Sequence, residues 1–199
     1  MLEKLAKQTA VYGISTIAVR FLSYLLTPVF TRVFEPEAYG IVTDVYALIP
    51  FALVVLTMGL ESAYFRFAAK ADAAAAAAGG TEGEIAARAR AGKRRLFATA
   101  WGVTLLAASL FFLLTAFGRE RVAEWMGEAY VAHPEYVLLV AAVVWFDVAA
   151  CLPFSRLREQ GRAMTFVGIK ALGVVVNVAL AIGFALAGLY GTPFGVGWV

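Results

Sequence analysis

The residues best placed to do chemistry are ionisable groups that interrupt long apolar runs. Arg20 sits inside an apolar stretch from Thr9 to Val33, and Lys170 inside another from Met164 to Leu189. Asp147 interrupts a third, Tyr136 to Ser155, while Asp44 and Glu61 lie near the two ends of a fourth, Gly40 to Leu60. A charge at hydrocarbon depth costs about 2.5–3.5 kcal/mol on insertion scales, so such groups face a cavity or an opposite charge. Arg20 lies about 16 Å along a helix from Thr9, too deep for easy snorkelling. Steps of three and four place Gly13, Thr16, Ser23 or Tyr24, Thr27 and Thr31 on its face. A continuous polar stripe predicts a water-filled cleft. The other reading is an internal ion pair of Arg20 with Asp44 or Asp147 that only holds helices together, and the two can coexist.

Lys170 begins a similar stripe with Gly173, Asn177 and Ala181. Arg162 lies shortly before it, so snorkelling to the surface is the alternative to a cavity role. Asp147 has Cys151 and Ser155 one and two turns on; it either carries a proton or cation or neutralises Arg20. Asp44 is a weaker coupling candidate, as is Glu61. A guanidinium deep in a cleft suits a phosphate or pyrophosphate, which it grips bidentately. That chemistry points to an anionic, lipid-linked cargo, with Arg20, Lys170, Tyr24 and Asn177 as the substrate-facing residues.

Other chemistries fit poorly. Ser15 is not in a nucleophile motif, and no His lies in any apolar run to serve as its base. One Cys and one His exclude a disulfide framework and a His/Cys metal site, and no cofactor is expected. Gly92-Lys93 is not a phosphate loop, because Ala87 stands where the first Gly is needed and Arg94 where Ser or Thr is needed. No enzyme is expected.

These residues must be positioned by membrane helices. The chain has 199 residues, 62% hydrophobic and 16% charged, with a mean hydropathy of +0.79. Soluble domains are nearer 45–50% apolar and about 25% charged. The shift excludes a disordered chain, a nucleic-acid-binding module and an ordinary soluble enzyme. The expected fold is an all-α polytopic membrane bundle with five spans: 9–33, 40–60, 96–117, 136–155 and 164–189. A barrel would need alternating segments of about 10 residues, which are absent.

The connecting segments alternate in charge. Twelve Lys and Arg residues fall in the N-terminal segment and the second and fourth connections, against three in the first and third. By the positive-inside rule the N-terminus is cytoplasmic, and five spans put the C-terminal end of this chain on the other side. A signal peptide is not expected, since the first run is long, holds Arg20 and lacks a small-residue cleavage site.

The segment 68–95 is the long cytoplasmic connection. Its alanine run Ala73 to Ala78, then Gly79-Gly80, then Glu84 to Arg95, predicts a helical extension, a flexible break and a basic helix. Its arginines serve as a solvated topology determinant or touch anionic lipid head groups. The segment Arg119 to Glu135 predicts one short amphipathic helix with Trp125, Met126 and Tyr130 at the interface. His133, before Pro134, reads as a loop histidine rather than a ligand, and Cys151 as a small core residue.

Two stretches carry a resemblance. They are "YGISTIAVRFLSYLLTPVFTRVFEPEAYGIVTDVYALIPFALVVLTMGLESAYFRF", Tyr12 to Phe67, and "PFSRLREQGRAMTFVGIKALGVVVNVALAIGF", Pro153 to Phe184. Within them the carrying features are "PVFTR" after the Arg-containing first run, F-x-P-E-x-Y-G at Phe34 to Gly40, "GLESAYFRF" and "RLREQGR". Their order resembles the N-terminal part of the oligosaccharide flippase family. This family comprises the Wzx-type O-antigen and polysaccharide transporters of the multidrug/oligosaccharidyl-lipid/polysaccharide exporter superfamily. The resemblance implies a 12–14-helix fold of two bundles working by alternating access. It also implies transfer of an undecaprenyl-pyrophosphate-linked oligosaccharide across the bacterial inner membrane, alongside a polysaccharide polymerase and glycosyltransferases, and no nucleic-acid partner. Arg20 matches the first-helix position where similar proteins place a cavity arginine; Lys170 is a looser match. "GLYGTPFGVGWV" at the end resembles the turn into a sixth helix, so the chain is expected to be the N-terminal piece of a longer protein, inactive in transport by itself. The alternatives are a cation-coupled drug exporter of the same superfamily, which Arg20 disfavours, and a non-transporting subunit of a polysaccharide assembly complex.

Overall fold

The computed structural model describes residues 36–186, with Gly13 and Ile17. The expected span 9–33, with Arg20 and Tyr24, and the chain beyond 186 lie outside the described residues. Among the described residues there is no strand. Seven helices follow one another there: α1 (Pro36–Thr57), α2 (Leu60–Ala77), α3 (Glu82–Phe117), α4 (Arg119–Met126), α5 (Glu128–Ala132), α6 (Glu135–Glu159) and α7 (Ala163–Leu186). The protein is an all-α membrane helical bundle. Four helical stretches are long and apolar enough to cross a membrane: Thr43–Ala77, Glu82–Phe117, Glu135–Glu159 and Ala163–Leu180. Large apolar side chains stand fully outward on them, Leu106 at 74% and Phe117 at 90% exposure, an arrangement that hydrocarbon tolerates and water does not.

The chain divides into two compact units, one formed by Val45–Glu159, the other by Met1–Asp44 with Gln160–Val199. In the second of these, the described elements are the start of α1, residues 36–44, and α7. α7 contains no acidic residue in its first turn and no basic residue in its last.

Small residues make the 45–159 unit pack. Ala100, Thr104 and Ala108 recur every fourth residue on the buried side of α3. Their short side chains let α6 come close, which is how membrane helices gain contact without a hydrophobic driving force. α6 answers with Val140, Val144, Val148 and Leu152, again at steps of four. Val140, Val144 and Val148 join Ala108 in one cluster, covered by Val45, Leu48, Ile49, Ala52, Leu53 and Leu56 of α1. Farther along, Tyr64 of α2, Ala100 and Leu152 form a second cluster, flanked by Leu96, Phe97 and Trp101. Gly92 allows α2 and α3 to approach: a Cβ there would stand 3.4 Å from that of Ala71. That close approach is the structural use of the Gly92-Lys93 pair.

Helix boundaries depart from the sequence expectations at two places. α6 does not stop near Pro153 but runs through it to Glu159. Proline lacks the N–H that would bond the carbonyl of Ala149; the indole Nε1 of Trp101 donates to that carbonyl instead, at 2.9 Å. The segment Arg119 to Glu135 is two short helices rather than one, because Gly127 breaks it with φ 125° and ψ 173°. The break at Gly79-Gly80 falls where the sequence places it. Both glycines have positive φ, Arg88 donates to the Gly79 carbonyl at 2.7 Å, and Thr81 and Glu84 form a reciprocal capping box that starts α3.

Candidate functional site

Asp44 and Asp147 are both exposed, Asp44 on α1 and Asp147 on α6. They fall in different units, and Arg20, the expected partner of either, lies outside the described residues along with Tyr24. Lys170 and Asn177 are both exposed on α7. Seven residues apart, they share one face at a spacing of two turns. Gly173, between them, is open enough that a Cβ would meet nothing within 4 Å. The Lys170–Gly173–Asn177 stripe is therefore an accessible polar line on an otherwise apolar helix.

The structure assembles a second set of charges that spacing alone had not joined. Lys93 Nζ lies 2.7 Å from Asp72 Oδ2 and 2.7 Å from Glu159 Oε1, tying α2, α3 and α6 together. It sits below the apolar segment that starts at Leu96. Burial works against its charge, but its hydrogen bonds to Asp72 and Glu159 outweigh this and hold the ammonium above the ordinary lysine range. Next to Glu159 in the chain, Arg158 pairs with Glu61. The same guanidinium reaches Ser155 Oγ at 3.3 Å and stands over the Phe65 ring, 5.5 Å from its centroid. Cys151 Sγ lies 3.8 Å from Glu61 Oε2, so this cysteine faces an ion pair as well as the core. Arg156 stacks over Phe97 at 4.6 Å. Glu61 ranked among the weaker candidates by its position at a span end. The available signal was its complement: Glu61 and Arg158 each flank an apolar run, with opposite signs.

These groups bind helices to one another. Among the described residues no group of His, Cys, Asp and Glu is disposed to hold a metal ion. His133 rests beside Glu135, 3.0 Å from Oε1, and stacks on Tyr136. A cavity of about 320 Å³ opens between α1, α3 and α6 beneath α4, lined by Leu48, Phe51, Phe111, Thr115, Trp125 and Met126 among others. Its walls are apolar apart from Thr115, so it suits hydrocarbon and offers no converging polar groups to orient a reacting centre.

No curated protein and no solved structure is matched by the chain. A family model described as "polysaccharide biosynthesis protein" matches residues 5–195, which takes in the Arg20, Asp44, Asp147 and Lys170 positions together. The chain belongs to the polysaccharide biosynthesis protein family, membrane proteins with a transporter-type role.

Proposed function

We propose that the chain works as part of a flippase that moves a lipid-linked oligosaccharide from the cytoplasmic to the outer leaflet of the bacterial inner membrane. The observation that carries this reading is the family match across residues 5–195, set on helices apolar enough to cross a membrane. An all-α membrane protein of that family has no use for charges at hydrocarbon depth unless a polar cargo or an internal pair meets them. Arg20 and Lys170 supply the positive groups, and a guanidinium grips a pyrophosphate through parallel N–H donors. Lys170 and Asn177, accessible on one face of α7, support a polar path along that helix. Asp147 and Asp44 are the acidic groups for ion pairing or coupling. The N-terminus is cytoplasmic in this reading, since the basic connections then lie inside.

Arg20→Ala introduced at the chromosomal locus tests it. The expected result is loss of surface polysaccharide with accumulation of its lipid-linked precursor on the cytoplasmic side, at normal protein level in the membrane. Wild-type export in that strain would sink the pyrophosphate role. Unchanged export together with greater sensitivity to cationic drugs would favour the drug-exporter reading instead.

A further inference from the structure

α3 turns one face outward along most of its 36 residues. Arg95, Ala98, Gly102, Leu106 (74% exposed), Leu110 (55%) and Phe117 lie within about 60° of one line along that face, and exposed Arg94 and Arg90 flank the line on one side at its basic end. Four other cations at this end of the 45–159 unit are engaged. Lys93 bridges Asp72 and Glu159, Arg158 pairs with Glu61, Arg88 holds the Gly79 carbonyl, and Arg156 lies over Phe97. Arg90, Arg94 and Arg95 have no ion-pair partner among the described residues. Three guanidiniums within two turns, with no carboxylate to answer them, form a site of strong positive potential.

The vertical order on this face identifies the anion. From Arg94 to Phe117 the helix rises about 35 Å, slightly more than the roughly 30 Å of a bilayer's hydrocarbon core. With the leucine face in acyl chains, the guanidiniums stand at head-group level. An acidic protein would satisfy the arginines and leave the contiguous leucine face uncovered; a lipid answers both in the right order. We propose that the Arg90–Arg94–Arg95 edge of α3 binds the head group of an anionic phospholipid, whose acyl chains lie against Ala98, Gly102 and Leu106. The assignment rests on α3 crossing the membrane and not on the flippase reading, so it stands or falls independently of the cargo.

The test is lipid preference of the purified chain in nanodiscs of phosphatidylglycerol, of phosphatidylcholine, and of their mixtures, read by native mass spectrometry of retained lipid. Wild-type protein is expected to retain phosphatidylglycerol selectively, and R90Q/R94Q/R95Q to lose that selectivity by about tenfold or more. Because these arginines also contribute to topology, a companion carries the same three changes with A74K/A77K/A78K, which restores the charge of the connection on exposed positions of α2 and its end. The companion is expected to stay inserted and still lose the selectivity. Three outcomes overturn the proposal: no phosphatidylglycerol preference in the wild type, a preference retained in R90Q/R94Q/R95Q, or a preference restored in the companion. The last would mean that loop charge in general, and not this edge of α3, attracts the lipid.

Discussion

At the scale of single residues, the most informative contact is the indole of Trp101 on the Ala149 carbonyl. Pro153 deprives that carbonyl of its helical donor, and an unsatisfied carbonyl inside a membrane helix has no water to turn to. Trp101→Phe keeps the ring stacked near Phe97 but removes the N–H. We expect it to cost about 1–3 kcal/mol, measured by denaturation in detergent. In a Pro153→Ala background the new N–H at 153 can bond Ala149, so the same change is expected to cost much less there. Additive effects of the two substitutions would refute this account of how α6 continues through proline. Lys93 allows a second measurement. Its ammonium is stabilised in the folded protein, so its contribution is complete below the ordinary lysine value of about 10.4 and declines as pH rises through the higher folded value. Wild-type protein is therefore expected to lose stability relative to Lys93→Met above about pH 10. At neutral pH the Met variant is expected to be the weaker, by about 1–3 kcal/mol, because Glu159, only 14% exposed in its side chain, loses its partner. Parallel curves for the two proteins would show that the bridge adds nothing.

At the scale of elements, the helices are long where lipid demands length and are broken where glycine permits it. α3, at 36 residues, rises about 54 Å, well beyond a hydrocarbon core of about 30 Å. Its basic N-terminal third therefore projects out of the apolar layer, where Lys93 and the capping box at Thr81 hold it. The break between α4 and α5 depends on Gly127, whose φ of 125° and ψ of 173° suit glycine almost alone. No atom stands within 4 Å of where a Cβ would be, so the constraint is the backbone and not crowding. Gly127→Ala is expected to destabilise the α4–α5 corner by about 1–3 kcal/mol. Proteolysis should then cut between Trp125 and Tyr130 sooner than in the wild type. The single amphipathic helix expected from Trp125, Met126 and Tyr130 failed to anticipate this break because side-chain pattern carries no information about the dihedral angles of a glycine.

At the scale of the whole molecule, the proposed orientation makes a claim that reporters can read. A fusion at Gly79-Gly80 is expected to report the cytoplasm, and one at His133 the opposite side; the reverse pair would overturn the orientation and with it the direction of transport. The membrane character and the all-α class were legible without coordinates, because both are sums over local properties. Twenty apolar residues exceed what a soluble helix hides, and a backbone in lipid must bond within its own helix. Arg20, Lys170 and Asp147 stood out for the same reason, since a charge in an apolar run is visible one residue at a time. The partners of buried charges were not legible. Lys93 meets Glu159 across 66 residues of chain and Trp101 meets Ala149 across 48. Those pairings depend on how each helix is rotated about its axis and how closely Ala100, Thr104, Ala108 and Gly92 let neighbours approach. Composition decided that this chain lives in a membrane; packing between helices decided which charges tie the bundle together and which arginines stay exposed.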